Sequence, residues 1–241
     1  MTGPGIVLAD GIARFSLDPE RRVPLLDETT LSRLGDCITQ TGRARAKVLL
    51  VTGGTEGVFA AGADLTRLSA LSPLEARAFS RKGQDVFDSL ATQPFVTLAM
   101  VRGRCIGGAF DLVMACDLRV ADTTATFSHT GPRLGFITGY GGTSRLPALV
   151  GRAARAVLSG HRVLDAAEAE ALGLVTETAT PVDLEKVTLE IAHRIVRVPA
   201  ARIALVKEAI RALSGCPQRR RLEGPLTRLA ALAESPGPAG E

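Results

Sequence analysis

Val-Arg-Gly-Arg-Cys-Ile-Gly-Gly-Ala-Phe-Asp-Leu-Val-Met-Ala-Cys-Asp, residues 101–117, decides how the rest of the chain is read. The apolar run ending at Val101 reads as a buried strand, Gly103 to Gly108 as a glycine-spaced turn, and Ala109 to Cys116 as a helix. The first turn of a helix leaves backbone N–H groups unpaired and carries partial positive charge. Glycines there let a ligand oxygen come close to the backbone. A strand that passes through two glycines into a helix is therefore one way to build a backbone oxyanion site. Asp111 follows Gly108 by three residues and shares its helix face. Helical side chains lean toward the N-terminus, so its carboxylate is expected near whatever the Gly108 N–H holds. The same residues also suit a plain strand–turn–helix junction with Asp111 as a first-turn acid.

On the N-terminal side, Ile6 to Leu17 holds two apolar runs around Asp10-Gly11, a hairpin signal. A helix is expected over Glu28–Thr41 and a strand over Lys47–Val51. Thr52 to Gly57 is a polar, glycine-rich loop after a strand. It lacks the spacing of a dinucleotide-binding turn and no clear helix follows, which places a nucleotide-dependent oxidoreductase last among the readings. Ser72-Pro73-Leu74-Glu75 is a capping box with proline at the first helical position, opening a helix to about Leu90. Pro94–Val101 is the strand that feeds the central stretch.

On the C-terminal side, Leu118–Ala121 reads as a short strand. Gly131 to Gly142 is a loop with five glycines that ends at a helix through about Val150. Asp165–Ala171 is a capped helix, with Glu168 three residues after the cap and Gly173 as its stop. Beyond Pro181 every segment reads as helix: Asp183–Val198, Ala200–Leu213 and Gln218–Ala233, before a Pro/Gly-rich tail. The pattern is an α/β core with a helical C-terminal region, not two independent domains.

Composition narrows the function. A chain of 241 residues with 46% hydrophobic and 22% charged residues is not disordered. It is large enough to fold without a disulfide or metal staple. Phe95 to Val101, broken by Thr97, is far too short to span a bilayer, so no membrane partner is expected. Lys and Arg number 29 against 25 Asp and Glu, a net +4. The one basic run, Arg219 to Arg221, reads as a solvated helix face rather than a nucleic-acid patch. Cys37, Cys105, Cys116 and Cys216 form no CxxC pair, and His129, His161 and His193 match no zinc spacing. Buried thiols in a reducing compartment and no metal are expected. The N-terminus shows no basic region followed by an apolar stretch, so no signal peptide is read and a cytoplasmic protein is expected.

Phe59-Ala-Ala-Gly-Ala-Asp-Leu65 is a second segment of small residues. Taken alone it reads as packing, with Asp64 bonded to nearby backbone amides. Together with Gly107-Gly-Ala-Phe-Asp-Leu-Val-Met-Ala-Cys-Asp117, Gly141-Gly-Thr-Ser-Arg-Leu146 and Leu158 to Val175, it resembles the enoyl-CoA hydratase/isomerase (crotonase) superfamily. The four blocks stand in the expected order and spacing, and the likeness covers roughly residues 6–213. It implies an α/β fold in which ββα units form a spiral core over 1–195. A helical region over 196–241 would make trimer contacts, giving a homotrimer or hexamer. It also implies an acyl-CoA thioester substrate, with coenzyme A as part of that substrate and no separate cofactor.

The superfamily holds the thioester carbonyl between two backbone N–H groups, whose positions match Ala63 and Gly108. Substrate-binding positions carried over with them are Ala61, Asp64, Leu65 and Gly107. Arg67, just past the first block, either reaches a CoA phosphate or is a surface arginine. Hydratases of the superfamily use two glutamates. The first position corresponds to Asp111, a shorter carboxylate. The second falls where the family has Pro-Glu before Leu-Gly, and here that pair is Thr130-Gly131. Simple isomerases that keep only the second acid are disfavoured by its loss. Other members place an aspartate near the next glycine-rich loop, where this chain has Gly139-Tyr140. The remaining catalytic candidates are Asp111, His129 and Tyr140. His129 is either a second proton carrier or a loop histidine. Tyr140 either donates a hydrogen bond or lines the pocket. The leading expectation is addition or removal of water at an enoyl-CoA double bond. The alternatives are decarboxylation, C–C cleavage or thioester hydrolysis within the superfamily, or an acyl-CoA-binding protein with a degenerate site.

Overall fold

The computed structural model describes residues 6–18, 21–54 and 57–213. In chain order its strands are β1 (Ile6–Ala9), β2 (Ile12–Ser16), β3 (Val48–Thr52), β4 (Val58–Ala60), β5 (Val96–Val101), β6 (Arg104–Ile106), β7 (Leu118–Asp122), β8 (Thr126–Ser128), β9 (Leu164–Asp165) and β10 (Glu177–Ala179). The helices are α1 (Glu28–Arg43), α2 (Leu65–Ala70), α3 (Pro73–Ala91), α4 (Gly108–Ala115), α5 (Gly142–Val150), α6 (Ala154–Leu158), α7 (Ala166–Ala171), α8 (Leu184–Val196) and α9 (Ala200–Leu213). Short 3-10 turns cover Gly131–Leu134 and Gly151–Ala153.

The expected hairpin forms. Asp10 and Gly11 both take positive φ, 50° and 79°, as a two-residue turn matched to strand twist requires, and Ala9 faces Ile12 across it. Parallel pairing then builds a six-stranded sheet in the order β1-β2-β3-β5-β7-β10. The unbroken Val48-Leu-Leu-Val51 run has its explanation here, because both sheet faces are covered. Val48 and Leu50 pack with Leu98, Met100 and Val120 against Leu184, Ile191 and Ala192 of α8. Leu49 and Val51 point the other way, into the main core with Phe15, Ala99, Leu34, Phe87 and Leu90.

A second sheet, β4-β6-β8-β9, is absent from the sequence expectations. The span Gly103–Gly108 is not simply a turn: its middle is β6, paired in parallel with β4 and β8. These strands are three residues long, too short for any alternation to show. Their partners lie far away in sequence, so pairing decides them. The chain runs β3-β4-α2-α3, β5-β6-α4 and β7-β8-α5, so each unit gives one strand to each sheet and then a helix. This is the expected ββα repeat. The parallel strands β4, β6 and β8 end side by side. The chain leaves them at Ala61–Ala63, Gly107–Gly108 and His129, which gathers three separate sequence segments at one place.

Two capping boxes form as read, Ser72 with Glu75 on α3 and Asp165 with Glu168 on α7. α9 is fastened to the core by Lys207, whose Nζ donates to Phe95 O at 2.8 Å and pairs with Asp117 Oδ2 at 2.5 Å. The helix expected over Gln218–Ala233, the tail and Cys216 lie outside the described residues, so only the first part of 196–241 is seen. Among the described residues, no helix is long and apolar enough to cross a membrane, and no cluster of His, Cys, Asp and Glu suits a metal ion.

Candidate active site

The site begins where β6 turns into α4. Gly107 takes φ +60°, ψ −124°, a conformation L side chains rarely adopt, and its N–H is tied to Ser128 O at 2.9 Å. This turn aims the open end of α4 toward the end of β4. There Gly62, at φ +83°, lets the second segment press against the first: a Cβ on Gly62 would lie 2.8 Å from Gly108 N and 2.9 Å from Ile106 O. The Gly62 segment is held from behind, Ala61 N donating to Pro24 O at 3.1 Å and Leu26 N to Gly62 O at 2.7 Å. The N–H groups of Ala63 and Gly108 donate to no described residue. Both residues are half-buried. Two free backbone donors thus stand at adjacent strand ends, one of them at the positive end of a helix.

One turn into α4, Asp111 is completely buried. Its two oxygens differ. Oδ2 accepts a hydrogen bond from the Thr138 hydroxyl. Oδ1 has no hydrogen-bond partner among the described residues. It lies 3.3 Å from His129 Nε2, but the two are not aligned for a hydrogen bond, and Nε2 is also without a partner. His129 is buried, with its ring 5.2 Å from that of Phe110. On the far side, Gly142 opens α5 against the same oxygen: a Cβ there would sit 2.2 Å from Asp111 Oδ1. Buried polar groups are nearly always paired, and an orphan costs about 1–3 kcal/mol. Two facing orphans mark a place for a bound polar group.

Tyr140 is the third orphan. Its ring is packed between Phe79 and Phe87, at centroid distances of 5.6 and 5.4 Å, and its hydroxyl is buried without a partner. It lies against the α4 turn, where a Cβ on Gly108 would meet its ring at 2.9 Å. Burial first, then the Asp111 and Glu28 carboxylates, push its phenol far above the ordinary range. Tyr140 is therefore a neutral phenol that keeps its proton. Of the three candidates, Asp111 and His129 face each other at 3.3 Å, and Tyr140 packs against the turn that opens α4.

Other expected positions sort differently. Asp64 caps α2, accepting from Thr66 N at 2.9 Å and Arg67 N at 3.3 Å, which is the backbone-bonded alternative. Leu65 begins that helix and is exposed. Arg67 pairs with Glu28 at 2.5 Å on the surface. At Gly131, where the superfamily's second acid would stand, the backbone opens a 3-10 turn, and a Cβ would meet Phe136 O at 2.9 Å. The carbonyl and ring of Phe136 crowd that place. Sequence reading missed Thr138, which lies inside the glycine-rich loop and matches no catalytic pattern. Only the fold shows it facing Asp111.

Comparison with known proteins agrees with this architecture. A family model described as enoyl-CoA hydratase/isomerase matches residues 9–230. A crotonyl-CoA hydratase of Syntrophomonas wolfei is 36% identical over 200 residues, 82% of this chain and 77% of its own length. A short-chain-enoyl-CoA hydratase of Clostridium acetobutylicum is 30% identical over 201 residues, 83% and 77%. The crystal structure of an enoyl-CoA hydratase from Bacillus anthracis matches with a TM-score of 0.86 at 29% identity, over 93% of this chain and 89% of that one.

Proposed function

Since the chain belongs to the enoyl-CoA hydratase/isomerase family, we propose that it adds water across the double bond of an enoyl-CoA thioester, or removes it in reverse. The observation that supports this reading is the juxtaposition of two free backbone donors, Ala63 N and Gly108 N, with the buried Asp111 one helical turn on. The thioester oxygen takes both N–H bonds. As the water oxygen bonds to Cβ, the double-bond electrons move through Cα onto that oxygen as an enolate. Asp111 accepts the water's proton and returns it to Cα, so water is added and nothing is left over. One donor of this kind is typically worth about 3 kcal/mol of barrier. His129, with Nε2 3.3 Å from Asp111 Oδ1, holds the water beside the carboxylate in place of the absent second acid. Tyr140, as a neutral phenol, walls the acyl side.

The missing carboxylate at Gly131 favours a second reading, decarboxylation of a malonyl-type ester, which needs the enolate site but no acid pair. A panel of enoyl-CoA and malonyl-type esters in heavy water, read by mass spectrometry, separates them. Gain of one water supports the hydratase; loss of CO₂ supports the second reading. Tight binding without turnover of any ester supports neither and marks a binding protein. Asp111→Asn is expected to lower hydration by about 10²–10⁴-fold while the CoA ester still binds. Unchanged activity in that variant removes Asp111 from the mechanism. A homotrimer or hexamer in the cytoplasm is part of the same reading, with sedimentation as the test of assembly.

A further inference from the structure

The two oxygens of Asp111 are treated so differently that they imply a division of labour. Oδ2 is engaged by the Thr138 hydroxyl; Oδ1 is buried, unpartnered and beside His129 Nε2. The terminal torsion of an aspartate is soft, so a carboxylate without such a bond samples a broad range of orientations. Thr138 is itself firmly placed. The next carbonyl, Gly139 O, accepts from Ser80 Oγ at 2.6 Å and from Gln84 Nε2 at 2.7 Å, both on α3. The carbonyl after that, Tyr140 O, accepts from Arg145 Nη1 at 2.7 Å. Gly142 leaves room for the pair, since a Cβ there would meet both Asp111 Oδ1 and the Thr138 methyl, the latter at 3.0 Å. A loop held by three hydrogen bonds at two neighbouring carbonyls thus presents one hydroxyl to one oxygen of the buried acid.

We propose that Thr138 is a positioning residue: by holding Oδ2 it fixes the Asp111 carboxylate so that Oδ1 is the atom that takes and returns the proton. This rests on the hydratase reading above. In this chain, where Gly131 supplies no second carboxylate, the orientation of the single acid decides which of its oxygens meets the water that His129 holds.

The test compares wild type, Thr138→Val, which keeps the shape and loses the hydroxyl, and Thr138→Ser, which keeps the hydroxyl, in hydration of crotonyl-CoA. Misplacing a catalytic group by about 1 Å costs on the order of 10²-fold, so Thr138→Val should lose about 10–100-fold in kcat with KM nearly unchanged. Thr138→Ser should stay within about threefold of wild type, because the positioning bond is retained. A Thr138→Val enzyme with wild-type kcat overturns the proposal, as does a loss confined to KM or a Thr138→Ser enzyme as slow as Thr138→Val. If Thr138→Val melts early, Thr138→Ala against Thr138→Ser gives the same comparison. A wild-type protein that hydrates no enoyl-CoA overturns the hydratase reading and this inference together. An active wild type with an unimpaired valine variant overturns the inference alone.

Discussion

At Gly83 two physical effects oppose each other. Glycine inside a helix costs about 1 kcal/mol relative to alanine, so Gly83→Ala would strengthen an isolated α3. In the folded chain the Tyr140 ring already occupies that space, with Cδ1 2.2 Å from where the new methyl would stand. Overpacking of this kind costs about 1–3 kcal/mol, and no flexible atom is there to give way. Gly83→Ala is therefore expected to be net destabilising by urea titration; a stabilised variant would show that Tyr140 does not pack where it is placed. At this scale the spacing to Gly108 placed Asp111 beside the α4 turn but left a plain first-turn acid open, and family likeness gave it a catalytic role. Sequence reading reached Ala63 and Gly108 as donors through family likeness, because a backbone N–H leaves no side-chain signature. It did not reach Thr138, since a threonine in a glycine-rich loop looks like any turn residue until the fold sets it opposite a buried acid.

Helices announce their ends, and that made them legible. The Ser72–Glu75 box opens α3 as read, both reciprocal bonds being formed. Ser72→Ala should lower stability by about 1 kcal/mol, measured as a shift in urea midpoint at unchanged slope, since one orphan N–H loses its acceptor. No loss at all would mean that Glu75 alone satisfies the turn. The long buried strands were equally visible, because Val48–Val51 is a continuous apolar run and Phe95–Val101 is broken only at Thr97. The strands β4, β6, β8 and β10 were not. Three residues carry too little pattern, and these become strands only by pairing with partners far along the chain. The helix α2 escaped for a related reason: none of its residues is buried, so it has no apolar stripe.

Among the described residues every thiol is buried, and that gives the fold a weakness in alkali. Cys37 lies in α1 and Cys105 and Cys116 flank α4, all three buried. Burial pushes Cys37 up to about 11 and Cys116 up to about 12, from an ordinary 9.0, and raises Cys105 as well. The folded chain thus keeps protons that the unfolded chain releases above pH 9. Stability is full below about pH 9 and falls as pH rises toward 11–12, by up to about 1.4 kcal/mol per pH unit for each thiol. Urea midpoints at pH 8, 9.5 and 10.5 should fall steadily, and Cys116→Ala should flatten the decline. A decline of equal slope in that variant would assign the alkaline weakness to other groups. What the sequence determined by itself was local: helix caps, the hairpin turn, the long buried strands and the acid one turn past Gly108, each set by neighbours within a few residues. What only the tertiary structure decided was the second sheet, the meeting of Ala63 with Gly108, the crowding of Gly131's place by Phe136 and the Thr138–Asp111–His129 cluster. These depend on parallel strands whose ends are brought together by contacts across tens of residues, and such contacts leave no periodic trace in the chain.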